Sequence, residues 1–234
     1  MKKISFIGVY DKTDCILYIA KILRTIGKKV LVVDSTTNQK AKYIVPVINP
    51  TVEYVTEFEE IDVAVGFDNF EKIKRYLSIP EEKELDYDYA LIDIDQSKNI
   101  KNFGIKPTDL NYFVTGFDVY SLKKGLEALK GIEEALDLTK ILFSKDMLKE
   151  EDDYLNFLSV GLKVIWKEYK IYFPIENGDA TVIAENQRLA KIKFKQLSQH
   201  YKESLMYIAE EILKDVRGSE LRRAMRMIER DKGE

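Results

Sequence analysis

The stretch Lys3-Ile4-Ser5-Phe6-Ile7-Gly8-Val9-Tyr10-Asp11-Lys12-Thr13-Asp14-Cys15-Ile16 decides the fold. It opens as an apolar run of strand length, over 3–9, and passes through Gly8 into the polar segment Asp11-Lys12-Thr13-Asp14. Ile16, Ile19, Ala20 and Leu23 then recur at helical spacing, which predicts a helix over 13–26. Gly27 stands where a helix stop belongs. Lys28 and Lys29 lead into Val30-Leu31-Val32-Val33-Asp34, an apolar run without alternation that ends in an acid. Parallel strands covered on both faces read this way. Strand, crossover helix and second buried strand together make one βαβ unit.

Outward from this unit the alternation continues. Residues 43–47 and 52–56 read as short strands or loop segments, interrupted by Pro46 and Pro50. A strand over 61–67 is followed by a helix through Ile73, Tyr76 and Leu77, and 80–84 is a charged loop. Tyr87-Asp88-Tyr89-Ala90-Leu91-Ile92-Asp93 is a further buried strand ending in Asp. Beyond it come strands over 111–115, 139–143 and 170–173, a helix over 122–132 capped by Ser121, and a helix opened by the acids at 150–153. A long helix carries Leu197, Leu205, Ile208, Ala209 and Ile212, and Ser219 caps a short last helix to about residue 230. The expected architecture is α/β: one doubly wound domain over 1–217, its mostly parallel sheet of about seven strands flanked by helices, then a short basic C-terminal helix or tail over 218–234.

Hydrophobic residues make up 45% of the 234 and charged residues 33%, a balance that supports a folded core and excludes a disordered chain. The net charge of −3 gives no global basic field. Outside the tail, lysines and arginines are interspersed with acids, so no nucleic acid partner is expected. No apolar run reaches the roughly eighteen residues of a membrane-spanning helix. Asp11, Lys12 and Asp14 interrupt the N-terminal apolar stretch too early for a signal peptide. The single cysteine, Cys15, cannot form an internal disulfide, which fits a reducing compartment and an expected cytoplasmic location.

Five segments sharpen this outline. Lys12-Thr13-Asp14-Cys15-Ile16-Leu17-Tyr18-Ile19-Ala20 follows a Lys-Thr-Thr start leading into an apolar helix, and Gly27-Lys28-Lys29-Val30-Leu31-Val32-Val33-Asp34 is a strand with a terminal acid. Tyr87 to Asp93 has the form of a Walker B strand, Asp118-Val119-Tyr120-Ser121-Leu122 that of an acidic turn before a helix, and Phe173-Pro174-Ile175 that of an Ile-Pro turn near a base pocket. In this order and at these spacings, over 1–213, the chain resembles the MinD/ParA family of deviant Walker ATPases. The resemblance implies nucleotide held by Gly8, Lys12, Thr13 and Asp93, with magnesium held by Thr13 and Asp34. It also implies a role in spatial positioning, in cell division, segregation, or secretion and pilus assembly, and dimers that meet across their nucleotides.

The chain departs from the family pattern where the chemistry lies. The family's additional signature lysine falls at Ile7, and two of its loop glycines fall at Val9 and Asp11. A β-branched Val resists positive φ and crowds a phosphate. Asp11 sets a negative charge where the anion belongs; two unit charges about 4 Å apart at an effective dielectric near 20 repel by ~4 kcal/mol. With Asp14, Asp11 supplies instead the anion that a helix N-terminus favours. The second acid of the family is here Thr36, and losing a carboxylate that positions water typically costs a factor of roughly 10² to 10⁴. Asp95-Gln96-Ser97 replaces the switch after the Walker B strand, and Ser144 stands where the family often has a base-reading Asn.

These departures lead to the expectation of a non-hydrolysing scaffold or adaptor of MinD/ParA type, with no catalytic residue and no cofactor. It would act through a protein partner or paralogue as a homodimer or heterodimer. The alternative is a divergent but active magnesium-dependent ATPase that uses ATP and Mg at Gly8, Lys12, Thr13, Asp34 and Asp93. Cys15 reads as a small packed hydrophobe, and His200, the single histidine, lacks the Cys or second His of a metal site. In the tail, Leu221, Met225 and Ile228 share one helical face, and Arg222, Arg223, Arg226 and Arg230 surround it. That pattern allows peripheral membrane contact or packing on the domain or on a partner. Tyr43, Tyr54, Phe58, Phe67, Phe70 and Tyr76 recur between charges, as core or as a protein-binding surface.

Overall fold

In the computed structural model, which describes residues 1–48, 51–144, 146–174 and 177–230, β1 (Lys2–Ile7) leads through α1 (Thr13–Thr25) to β2 (Val30–Asp34). The chain continues through α2 (Ala41–Ile44), β3 (Tyr54–Phe58), β4 (Ile61–Val65), α3 (Phe70–Tyr76) and β5 (Tyr89–Ile94). Next come α4 (Ser97–Asn102), β6 (Leu110–Thr115), α5 (Val119–Glu127), β7 (Leu136–Leu142), α6 (Lys149–Leu158) and β8 (Val164–Tyr172). Helices α7 (Asn177–Leu189), α8 (Gln199–Ile212) and α9 (Gly218–Arg230) close the chain.

The strands form one sheet in the order β3-β4-β2-β5-β1-β6-β7-β8. All pair in parallel except β3, which runs antiparallel to β4 at one edge. The count is eight where about seven were expected, and the added strand is β3. The central strands are apolar on both faces because both are covered. Ile4, Phe6, Val30 and Val32 face a layer built on α1, α8 and α9, whereas Ile7, Leu31 and Val33 face Ile73, Ile100, Leu122, Leu126 and Leu155. Burial on both sides removes the period-two signal from such strands and leaves a continuous apolar run.

Elsewhere the sequence reading needs correction. The 43–47 segment is not a strand: Tyr43 and Ile44 belong to the single turn of α2. Pro50 and Ile175, on which two readings rested, lie outside the described residues. Helix α5 starts earlier than expected, because Asp118 and not Ser121 is its cap: the Asp118 carboxylate accepts from the Ser121 N–H at 2.8 Å. The Ser121 hydroxyl, and then its N–H, hold the Asp118 carboxyl below its ordinary range. Helices α4 and α7 had no place in the reading, since Ser97-Lys98-Asn99-Ile100-Lys101-Asn102 offers one large apolar residue and α7 has little apolar periodicity. Strand β8 begins at Val164, before the expected 170; as an edge strand it mixes Lys167, Glu168 and Lys170 with its apolar residues.

Candidate functional site

Strand β1 delivers Gly8 to the C-terminal edge of the sheet, where the chain must turn under a neighbouring strand. Gly8 has φ +140°, and a Cβ there would stand 2.3 Å from the Val114 carbonyl oxygen of β6. Only glycine lets the two backbones approach so closely. The loop then enters α1 at Thr13, and over the ends of β1, β2 and β5 lies a cleft of about 280 Å³ lined in part by Gly8, Lys12, Thr13, Thr36, Lys40 and Asp93.

Of the residues expected to hold nucleotide, Gly8, Lys12, Thr13 and Asp93 therefore come together. Their partners, however, are internal. The Lys12 side chain is 2% exposed; its Nζ donates to the Gly8 carbonyl at 2.6 Å and lies 2.6 Å from Asp93 Oδ1. Burial pushes the Asp93 carboxyl up to about 7, with Lys12 opposing that rise and Asp34 adding to it. Thr13 is buried, and its N–H points to Asp11 Oδ1 at 3.4 Å. Asp34, expected beside Thr13 as a metal ligand, has both oxygens in use within the 34–41 turn. Its Oδ1 accepts from the Thr36 N–H at 3.1 Å and the Thr36 hydroxyl at 2.6 Å, and its Oδ2 accepts from the Ala41 N–H at 2.9 Å. Asp95 also lines the cleft, and its Oδ2 accepts from the Thr37 N–H at 2.8 Å. Its Oδ1 is buried without a hydrogen-bond partner among the described residues.

Lys40 is a site residue that the sequence reading missed. Its Nζ bridges Asp11 Oδ2 and Asp14 Oδ2, the latter at 2.8 Å. Burial draws the Lys40 ammonium down, but Asp14 and Asp11 outweigh it and hold it above its ordinary value. Gln187 of α7 donates to both Asp14 oxygens, at 2.8 and 3.0 Å. The signal available in sequence was the pair of acids at a helix start, which calls for a cation without saying which of many lysines supplies it.

Tyr10 was missed as well. Its ring stacks on Phe143 at 4.7 Å, Phe143 stacks on Phe173 at 5.1 Å, and Phe173 meets Tyr201 edge-on at 5.1 Å. This aromatic row borders a second cavity, of about 230 Å³, between α1 and α7. Burial, then Asp11 and Asp118, raise the Tyr10 hydroxyl above its usual range. Ser144, at the base-reading position, donates to the Asp146 carbonyl at 2.9 Å. Cys15 is buried, and burial pushes its thiol up, as befits a packed hydrophobe. His200 is exposed in the first turn of α8.

The tail forms the expected helix, although it starts at Gly218, so Ser219 lies inside it and is not its cap; of the alternatives open to its apolar face, the structure shows packing on the domain. Leu221, Met225 and Ile228 are 2–5% exposed and join the core on α1 and α8, so they do not face a membrane or a partner. Tight packing against Tyr201, Leu205 and neighbouring residues of the same cluster satisfies that face internally. Arg217, Arg222, Arg223 and Arg226 are exposed. The expectation of no nucleic acid partner rested on the residues outside this tail and does not extend to these arginines. Among the described residues no helix is long and apolar enough to cross a membrane.

No protein-family model matches the chain, and no curated protein matches it. Solved structures share its fold. A chain of the MinC:MinD cell division protein complex of Aquifex aeolicus aligns over 93% of this chain and 97% of that one, with 14% identity and a TM-score of 0.58. A plasmid partition protein of Borrelia burgdorferi bound to AMPPNP aligns over 92% and 99%, with 15% identity and a TM-score of 0.54. A variant of McdA of Cyanothece in complex with ATP aligns over 92% and 96%, with 11% identity and a TM-score of 0.54. At these identities the likeness is one of fold, and the fold is that of MinD and ParA.

Proposed function

We propose that this chain is a positioning scaffold of MinD/ParA type that works through protein contacts and does not hydrolyse nucleotide efficiently. One observation carries the reading: the two lysines lining the cleft, Lys12 and Lys40, are both matched to carboxylates of the chain itself. A triphosphate with its cation fits these residues only after Lys12 and Lys40 have given up Asp93, Asp11 and Asp14. Asp34 would also have to leave the turn that it holds together. With Thr36 at the position of the family's second acid, the water-positioning carboxylate is missing too.

The partner is a protein, either a second copy or a paralogue. A second reading, a divergent magnesium-dependent ATPase, draws support from the meeting of Gly8, Lys12, Thr13 and Asp93 in one cleft and from the nucleotides held by proteins of like fold. Thermal unfolding with and without Mg–ATP separates the two. A ligand at 100 times its Kd adds about 2.7 kcal/mol, and the scaffold reading expects no such gain. A clear upward shift that vanishes in Lys12→Ala would replace it with the ATPase reading.

A further inference from the structure

We propose that Asp11 is a tethered carboxylate that closes the cleft, and that Lys40 is the cation it holds away from an incoming polyphosphate. This rests on the reading of the cleft as closed to nucleotide and names the group that closes it. Three observations support it. First, Asp11 leaves β1 only four residues after Ile7, on a loop too short to carry it away from the mouth, and it lines both the 280 Å³ cleft and the aromatic-bordered cavity beside it. Second, its two oxygens are divided between the positive groups an anion would use: Oδ1 lies against the Thr13 N–H at the start of α1, and Oδ2 pairs with Lys40. A helix start favours an anion, and here that anion is part of the chain.

Third, Lys40 keeps one inner partner, Asp14, and one outer partner, Asp11. It comes from the loop between β2 and α2, its side chain is 32% exposed, and it is held by the exposed Asp11 and the nearly buried Asp14. Asp14 has a second partner in Gln187, so it stays in place when Lys40 moves. Asp11 has no other cationic partner among the described residues, and its side chain is 53% exposed. The contact with Asp11 is therefore the one that a competing anion can displace. An anion entering the cleft meets the Asp11 charge first. Once that charge is gone it meets Lys40, the Thr13 N–H and the rim of the Lys12–Asp93 pair.

The test titrates inorganic tripolyphosphate into the full-length chain by calorimetry, comparing wild type, Asp11→Asn, Asp11→Gly and Asp11→Asn/Lys40→Gln, each first checked for a wild-type melting transition. Asn keeps the acceptor for the Thr13 N–H and removes only the charge. Asp11→Asn is expected to bind about tenfold or more tightly than wild type, and adding Lys40→Gln is expected to return affinity to the wild-type level. Asp11→Gly, which removes the carboxylate without an amide in its place, is expected to tighten binding as well. Unchanged affinity in both single variants would overturn the proposal, as would a double variant that binds as tightly as Asp11→Asn. Tight Mg–ATP binding by the wild type would instead overturn the closed-cleft reading, and the ratio between the variants would still decide the role of Asp11.

Discussion

With its Nζ 2.6 Å from Asp93 and 2.6 Å from the Gly8 carbonyl, Lys12 can leave its place only by stranding a carboxylate in the core. Breaking a buried ion pair by removing one partner costs about 3–5 kcal/mol. The pH dependence has a definite sign. The Asp93 carboxyl stands at about 7 in the folded chain against 3.8 ordinarily, so the folded state holds this proton more tightly than the unfolded one. The stability this contributes is complete below the ordinary value and is lost as pH rises toward the folded one. Lys12→Met should therefore cost about 3–5 kcal/mol at pH 8 and markedly less at pH 5, where Asp93 is already protonated; equal losses in urea melts at the two pH values would contradict this. Glycine gives a second comparison. Gly8→Ala drives a Cβ into the Val114 carbonyl, whereas a Cβ at Gly27 meets open space although φ there is +83°. Gly27→Ala should cost about 1–2 kcal/mol, and Gly8→Ala clearly more, in the same denaturation assay.

At the scale of elements, what sequence reveals depends on how each element is buried. Helix α1 and strands β2 and β5 were legible because each buries a continuous stripe or run, and Gly27 marks the end of α1 by local chemistry; the Asp118 cap of α5 was not, since Ser121 offered an equally good capping side chain three residues on. Helix α4 was not legible, since its anchoring is polar: Asn99 Nδ2 donates to the Ser35 carbonyl at 2.8 Å. Lys40 was hidden for a similar reason, because its partners lie 26 and 29 residues back along the chain and no spacing rule links them. Helix α9 tests the opposite case, an amphipathic pattern that was plain while its occupant was not. Leu221, Met225 and Ile228 bury onto α1 and α8, and full burial of such a side chain contributes about 1.5–3 kcal/mol. A chain ending at Arg217 should melt several degrees lower and bind an apolar dye; an unchanged transition would mean that α9 is not part of the core.

Across the whole molecule, β1 separates β5, β2, β4 and β3 on one side from β6, β7 and β8 on the other. The chain thus winds away from β1 in both directions, and the cleft opens at the point where the order reverses. The succession of buried strands with their terminal acids was readable, because it survives even where the loop chemistry has changed, whereas the spatial order of the strands was not. The internal charge pairing was not readable, since it is a property of the packed chain. If protein contacts and not nucleotide govern assembly, sedimentation equilibrium should give the same mass with and without Mg–ATP. A monomer–dimer shift driven by nucleotide would refute it. Measurements on this chain also carry a built-in bias. Its single tryptophan, Trp166, sits on β8, three strands beyond β1, with its indole N–H bonded to Ser159 at 3.0 Å and the Lys140 ammonium 5.0 Å from its ring. Tryptophan emission therefore watches the far corner of the sheet and is blind to the loop after β1, where tyrosine signals from Tyr10 and Tyr201 are the informative channel.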